Sequence, residues 1–502
     1  MRRRSRWRLG ILAAIALTLV ALYPQFHLQL VRGKDWNGSF AFFSQDEIAY
    51  SAYVNALIEG RPRRNDPYTG RDDTTRSRQP ESLFSIQFAP AYAIAIPARV
   101  FGLSATTAFI ALTILVAFSS TLALFWLIRS VTGDERVAAT GALVVLCLGT
   151  FAIVYAPLRG LFGADTTYTF EYFPFLRRYV PALPFPFFFI FCALVWRALS
   201  SKSRRGIWQN AVAASAVFAF LVFSYFYLWT AATAWLACLA FAWSIARPED
   251  YRTALKVFAV VFALMGATLL PYFALVANRA TTMDSVQLLA LSHAPDFSRS
   301  SVKLGLIICA ALMIAAWRGR VEWKNRALLF ATSFAITPLV LFNQQVITGR
   351  SLQPLHYELY IAKYLTLVAL VITIWLLCGR TVKETVGARD KSSARLSLNE
   401  GGQGQALSLQ ISSRLLLSVA LVALGWGIFE TVVQTGRHEW SSVDRDISLP
   451  VARQLLELSR ASSHHPDTQA VVLYFNLDHA DISPVVAPQP VLWAPHTPAF
   501  SG

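Results

Sequence analysis

Charged side chains are scarce in this chain. Asp, Glu, Lys and Arg together make up 15% of its 502 residues, whereas about 25% is usual in a soluble globular protein. Hydrophobic residues make up 55%, and they are grouped in runs of about 20, the length that a helix needs to cross about 30 Å of hydrocarbon. The composition therefore excludes an ordinary soluble domain and predicts an all-α polytopic membrane protein.

Cysteine is also rare, and its positions argue against disulfide bonds. All five cysteines fall inside predicted spans, so none is expected in an outer loop: Cys147, Cys192, Cys238, Cys309 and Cys378. The first apolar run follows the basic segment MRRRSRWR and lacks a small-residue cleavage motif. We therefore expect it to be an uncleaved membrane helix rather than a signal peptide.

Eleven spans are predicted, with the N-terminus inside and the C-terminus outside. They divide the chain into a transmembrane part, 1–433, whose first outer loop is 31–103, and an outer C-terminal segment, 434–502. The spans are 9–30, 104–128, 137–157, 180–196, 208–225, 227–246, 255–277, 304–317, 327–342, 359–378 and 415–433.

The distribution of basic residues supports this orientation. The inside segments carry 24 Lys and Arg, whereas the short outer loops carry 8, and short loops are where the positive-inside rule applies. The formal net charge of +16 is thus explained by topology, and no nucleic-acid partner is expected. The side of the membrane assigned to every later loop depends on whether 82–102 is counted as a span. This segment contains Pro90 and Pro97, so we interpret it as a broken interfacial helix and not as a span.

The first outer loop opens with the carboxylate pair Asp46-Glu47. Ser44-x-x-Glu47 fits a capping box, which predicts a helix that begins at Ser44 and lies in the membrane interface. Asp46 would share the face of Tyr50, where a carboxylate could serve as a general base toward an acceptor hydroxyl. The alternative is that both acids only stabilise the start of the helix. Acidic groups at a membrane face are costly without a role, which favours a function for Asp46.

Two other outer loops carry candidate phosphate ligands. Arg177 and Arg178 lie at the outer end of a span, against the charge trend, and Arg binds phosphate through two hydrogen bonds. Arg350 and His356 flank Pro354, which predicts a helix start and so free backbone N–H groups beside a cation. The alternatives are contact with lipid head groups for the first pair and ordinary helix capping for the second.

The sequence gives only a weak indication of a metal site. Asp72-Asp73 could bind a divalent metal, but the neighbouring arginines favour a solvated charge cluster, and we expect no metal cofactor.

In the outer C-terminal segment the pattern predicts a helix at 450–460 and strands at 469–475 and 490–493. Two strands and a helix cannot bury a core alone, so the tail either docks on the membrane loops or is part of a larger α/β domain.

The layout resembles that of the GT-C membrane glycosyltransferases. The resemblance rests on a first span, a long outer loop opening with Asp46-Glu47 on a short helix, a second interfacial helix ending in Phe101-Gly102, and many later spans. The protein O-mannosyltransferases and the lipid A aminoarabinose transferases share this layout. The resemblance implies a sugar donor on a polyprenyl phosphate and a catalytic acid in the first loop, here Asp46 with Glu47 as the other choice. It also implies loop cations on the lipid phosphate, for which Arg177, Arg178, Arg350 and His356 are the candidates.

These features predict a sugar transferase of the plasma (inner) membrane that acts at the extracytoplasmic face. Its acceptor would be a glycan, a lipid or a protein. The alternatives are a transporter or flippase for lipid-linked glycans and a non-catalytic assembly subunit. A transporter is expected to carry ionisable residues at mid-membrane, whereas the predicted span centres here are nearly free of charge.

Overall fold

The computed structural model describes residues 7–153, 173–281, 283–378, 412–461 and 471–500. The segment 387–410, which is rich in Ser, Gly and Gln and so predicts a flexible linker on the inside, lies outside them. Within the described part, nine helical segments are long and apolar enough to cross a membrane. Their main helices are Arg8–Arg32, Ala105–Thr132, Arg204–Val222, Phe226–Ala246, Tyr251–Ala277, Ser300–Trp317, Arg326–Leu341, Lys363–Cys378 and Ser413–Ala461.

Two further predicted spans are shorter helices. Phe185–Ser200 is 16 residues long and Glu135–Cys147 is 13, the latter followed by a turn at Gly149–Ala152. Each of the eleven predicted segments thus coincides with a helix, although the end of 137–157 lies outside the described residues. The fold class is confirmed: the chain is an all-α polytopic membrane protein.

The segment 82–102 is broken, as predicted. It forms Leu83–Ile86 and Ala89–Val100. The first begins with a capping box in which Ser82 and Ser85 exchange bonds between side chain and backbone. The second has 12 residues, about 18 Å of helix, which is too short to cross the hydrocarbon.

The first-loop helix is Asp46–Ile58, and the prediction of its start is wrong. It begins at Asp46 and not at Ser44, and only half of the capping box forms, because Glu47 accepts backbone N–H groups while Ser44 caps nothing. The helix is covered by protein on most of its surface. Every residue from Glu47 to Val54 is buried, since the helix packs against Ala89–Val100, Ala105–Thr132 and a helix of the C-terminal segment.

The helix Ser413–Ala461 has 49 residues and absorbs the predicted helix 450–460. At about 1.5 Å per residue it is about 74 Å long, so it continues well beyond a bilayer. Its buried Asp446 accepts the backbone N–H groups of Asn37 at 3.0 Å and Ser39 at 3.1 Å and the side chain of Arg32 at 2.9 Å. The long helix therefore anchors the start of the first loop.

The tail, defined here as 471–500, docks on the first loop. Its helix is Leu477–Val486, and it packs on Asp46–Ile58. Where strands were predicted at 469–475 and 490–493, the described residues form a single isolated β-bridge between Val472 and Val491. A separate two-stranded sheet pairs Leu289–Leu291 antiparallel with Arg350–Leu352. Tail and sheet approach the same region of the first loop.

Candidate functional site

A cavity of about 670 Å³ lies between the first loop, the residues around Arg177, the two-stranded sheet and the tail. It includes four of the six predicted site residues and excludes two, Glu47 and Arg178. The polar groups of its wall include Asp46, Tyr50, Arg177, Tyr225, Tyr227, Arg279, Asp284, Arg350, His356 and His496. The four predicted residues thus meet at one cavity, but they make up only a small part of its wall.

Asp46 presents a half-exposed carboxylate to this cavity, because it is the first residue of its helix and its side chain escapes the packing that buries Glu47. Its Oδ2 accepts a hydrogen bond from Nη2 of Arg177. Burial by itself would raise the pKa of the Asp46 carboxyl, but the contacts with His496 and the charge of Arg177 outweigh burial and hold that pKa well below its usual range. Asp46 is therefore an ionised carboxylate of low basicity at neutral pH.

Arg177 is a buried cation with bonding capacity left over. It is 3% exposed, donates to Tyr50 Oη at 3.0 Å, and lies over the rings of Tyr50 and Tyr360 at 5.8 and 5.1 Å. Its Nε and Nη1 are buried and have no hydrogen-bond partner among the described residues. Buried donors are rarely left unpaired in native proteins, so these two N–H groups mark a place for an acceptor from outside the chain.

Two tyrosines and a histidine extend this set of donors. The hydroxyls of Tyr225 and Tyr227 and Nδ1 of His356 are also buried without partners within the described segments. The ring centroids of Tyr227 and His356 are 4.9 Å apart, and those of Tyr225 and Tyr227 are 5.2 Å apart. Sequence reasoning missed both tyrosines. The available signal was their position at the short turn between the predicted spans 208–225 and 227–246.

Glu47 and Arg178 form a buried ion pair instead of lining the cavity. Their side chains are 0% and 1% exposed. Glu47 Oε1 accepts from the Arg178 backbone at 2.8 Å and from its Nη1 at 2.9 Å. Arg178 also donates to the Ala41 carbonyl at 2.7 Å and to Thr113 at 2.8 Å. The expectation that this pair could act on substrate is corrected, because both side chains are committed to each other and to the fold.

Arg350 and His356 reach the cavity from different places. The helix does begin at Pro354, as predicted, and His356 in its single turn faces the aromatic wall. Arg350 is exposed on its strand, opposite Leu291, and lies at the rim. The cavity wall also contains an ion pair, in which Arg279 Nη2 lies 2.8 Å from Asp284 Oδ2.

The acidic cluster of the first loop is committed to ion pairs. Asp72 pairs with Arg61 at 2.8 Å, and Asp73 pairs with Arg64 at 2.5 Å. Within the described segments, no group of three or more His, Cys, Asp or Glu side chains could hold a metal ion. The carboxylates of Asp72 and Asp73 are thus partly buried and paired with Arg61 and Arg64, not with the arginines that flank them in the sequence.

Another open cleft, of about 780 Å³, is lined by Trp7, Trp126, Arg129, Glu135 and Arg197 among others. Its cations already have partners: Arg129 pairs with Glu135 at 3.7 Å and lies over Trp7, and Arg197 lies over Trp126. It offers no half-exposed carboxylate beside unpaired buried donors. The cavity at Asp46 is therefore the candidate active site.

Comparisons with known proteins do not assign the chain to a family. No protein-family model matches it, and no curated protein matches it. Among solved structures it is similar to the oligosaccharyltransferase of Archaeoglobus fulgidus, crystallised in complex with zinc and sulfate, with a TM-score of 0.47 and 12% sequence identity. The alignment covers 96% of this chain and 62% of that one, so the chain spans about three fifths of the length of that protein.

Proposed function

We propose that this protein is a membrane glycosyltransferase that moves a sugar from a polyprenyl-phosphate donor to an acceptor at the extracytoplasmic face. One observation carries the proposal: the half-exposed Asp46 carboxylate lies in the same cavity wall as Arg177, a buried cation that has two unpaired N–H groups. A base and an anion-binding cation at one site are the two groups that such a transfer requires.

The phosphate of the donor would bind at Arg177. The free N–H groups of Arg177, with the hydroxyls of Tyr225 and Tyr227 and Nδ1 of His356, supply donors in a buried setting where hydrogen bonds to an anion are strong. Arg350 is exposed and contributes at the rim.

The lipid chain of the donor would leave the cavity along the helix Tyr251–Ala277. Tyr272, Phe273 and Val276 of this helix line the cavity, and Phe273 is itself exposed. Only 17% of the most apolar window of this helix is buried inside the protein, so most of its surface is free to contact lipid. The cavity thus has an apolar wall that continues onto a lipid-facing helix.

The transfer itself would be a displacement at the anomeric carbon. The acceptor hydroxyl forms the new carbon–oxygen bond, the bond from that carbon to the phosphate oxygen breaks, and the electron pair leaves with the lipid phosphate. The hydroxyl proton passes to Asp46. The contacts with His496 and Arg177 hold the pKa of Asp46 low. A bound phosphate would take over part of the charge of Arg177, which raises the basicity of Asp46 when substrate is present.

The charges buried in the candidate spans include Glu358, Lys363 and Glu430, and the contacts of Glu358 do not favour a transporter. Glu358 is buried, but it accepts the backbone N–H and the hydroxyl of Ser301 at 3.3 and 2.8 Å. It therefore serves the start of the helix Ser300–Trp317, which is a structural role.

The test uses purified protein in lipid nanodiscs with a panel of polyprenyl-phosphate sugars and a panel of glycan, lipid and peptide acceptors, and it measures release of polyprenyl phosphate. Wild type should release it, and Asp46→Asn and Arg177→Gln should not. Asp72→Asn is the matched control, since it alters a first-loop carboxylate paired with Arg61, outside the cavity, and it should behave as wild type. Binding of every donor without release would contradict the proposal and favour a non-catalytic subunit, and movement of intact donor across the bilayer would favour a flippase.

A further inference from the structure

The tail contributes a histidine to the cavity wall. His496 lines the cavity although it lies 450 positions after Asp46 in the chain. Its side chain is 15% exposed, and its Nε2 faces Asp46 Oδ1 at 3.9 Å. Arg177 binds the other oxygen, Oδ2, so the two oxygens of the carboxylate face two different cationic groups.

The buried Asp481 fixes the orientation of His496. Asp481 is 3% exposed, and its Oδ2 lies 2.6 Å from His496 Nδ1. Its Oδ1 accepts the backbone N–H of His496 at 3.2 Å. A carboxylate on Nδ1 determines which ring nitrogen carries the fixed proton, so Nε2 is the atom left to act toward Asp46.

The tail is held against the helix of Asp46. Phe500 stacks on Phe84 with ring centroids 4.1 Å apart and planes 11° from parallel. The backbone N–H of Val491 donates to the carbonyl of Tyr68 at 2.8 Å. Because the tail helix also packs on Asp46–Ile58, His496 and Asp46 belong to one packed unit and keep their relative position.

We infer that His496 is a positioning residue for Asp46, held by Asp481, and that the tail is therefore part of the active site. This inference rests on the proposed function. The imidazolium keeps Oδ1 of Asp46 ionised and directed into the cavity, which prevents the carboxylate from turning both oxygens onto Arg177. The N–H groups of Arg177 then stay available to the phosphate.

The charges around His496 favour its protonated form. Asp46 faces it from the first-loop helix and Asp481 from the tail helix, while Arg177 is the cation that shares Asp46. Burial would lower the pKa of His496, but the bonds and charges of the two carboxylates raise it to about 9. The histidine is thus an imidazolium at neutral pH.

The first arm of the test needs no turnover. Exchange of the imidazole C2 hydrogen for deuterium, followed by mass spectrometry over a pH series, gives the pKa of individual histidines. His496 should titrate near 9 in the wild type, and Asp481→Asn should move its pKa toward the ordinary 6.5. His479, paired with Asp444 at 3.1 Å in the same tail, does not line the cavity and provides the control variant for the second arm. An ordinary pKa for His496 in the wild type overturns the inference.

The second arm is the pH profile of sugar transfer. His496→Gln should shift the acid limb of kcat/KM to higher pH, because Asp46 loses one of its two cations. The Asp481→Asn variant should lose activity between pH 6.5 and 9. In this interval His496 loses its proton in the variant but keeps it in the wild type. His479→Gln should keep the wild-type profile. If His496 were only structural, its replacement would lower the amount of folded protein without moving either limb of the pH profile. That result would overturn this inference and leave the proposed function standing. A wild type that transfers no sugar overturns the proposed function and this role together.

Discussion

Glu47 and Arg178 are joined at 2.9 Å by a fully buried ion pair, one residue further along the chain than Asp46 and Arg177. The pair ties the start of the first-loop helix to the segment before the span 180–196. Because each partner adjoins a cavity residue, this pair sets the position in which Asp46 and Arg177 meet. Of these two adjacent ion pairs, Glu47–Arg178 thus stabilises the fold, whereas Asp46–Arg177 lies at the cavity.

Loss of Glu47 should damage the fold and not the chemistry. Glu47→Ala leaves Arg178 as an unpaired buried charge, and breaking a buried pair on one side costs about 3–5 kcal/mol. We expect a large fall in the thermal unfolding temperature and in the yield of folded protein, measured in detergent. Activity per folded molecule should remain near wild type. A stable Glu47→Ala protein without transfer activity would return Glu47 to the list of catalytic candidates.

Loss of Arg177 should weaken donor binding. Arg177→Ala removes hydrogen bonds to a charged group, worth about 1.5–3 kcal/mol, and Arg177→Lys should recover only part, because an ammonium lacks the planar fork of a guanidinium. Isothermal titration with a polyprenyl monophosphate measures this. Arg350→Ala is the comparison at the exposed rim, where solvent-screened charges contribute about 0–1 kcal/mol. A larger effect at Arg350 than at Arg177 would move the phosphate to the rim.

Loss of the Asp46 carboxylate should stop catalysis while donor binding survives. Asp46→Asn keeps the shape of the side chain and removes its basicity, so kcat should fall by at least about 100-fold, the low end for a general base. Polyprenyl monophosphate should bind at least as tightly as to wild type, since Arg177 is no longer paired with a carboxylate. An active Asp46→Asn enzyme would contradict the proposed role of this residue.

Stability should depend on pH through His496. Its pKa is about 9 in the folded protein against 6.5 for an ordinary histidine. A raised folded-state pKa gives stability that is fully present below pH 6.5 and is lost as the pH rises through 9. Thermal unfolding of wild type and His496→Gln should therefore differ most at pH 6 and converge above pH 9. A difference that stays constant over this range would contradict the ion-pair explanation.

The predicted topology can be tested by cysteine labelling in a background without the five native cysteines. Thr75→Cys lies on the exposed part of the first loop, and Lys324→Cys lies on an exposed segment predicted to be inside. An impermeant thiol reagent applied to intact cells should label the first variant, and it should label the second only after lysis. The reverse pattern would place the proposed active site on the cytoplasmic side.

The positions of the membrane helices follow from local sequence. A run of about 20 apolar residues has few stable alternatives to a helix in a bilayer, because every backbone polar group must be bonded within the segment. The break in 82–102 falls just before Pro90, which is the second residue of the helix Ala89–Val100, whereas Pro97 lies inside that helix and does not interrupt it. The start of the first-loop helix was misplaced by two residues, since Glu47 is drawn into a long-range pair with Arg178 that no local motif indicates.

The choice between neighbouring residues was made only by the tertiary structure. Asp46 and Glu47, or Arg177 and Arg178, are chemically equivalent in the sequence, and packing decides which member of each pair is buried and which faces the cavity. His496 carries no local pattern for this role, because the role depends on a contact with Asp46, 450 positions earlier in the chain. The sequence by itself determined that this is a helical membrane protein with its acidic candidates in the first loop. The assembly of the cavity depended on the docking of the tail and on the burial of one ion pair beside another, which are properties of the folded chain.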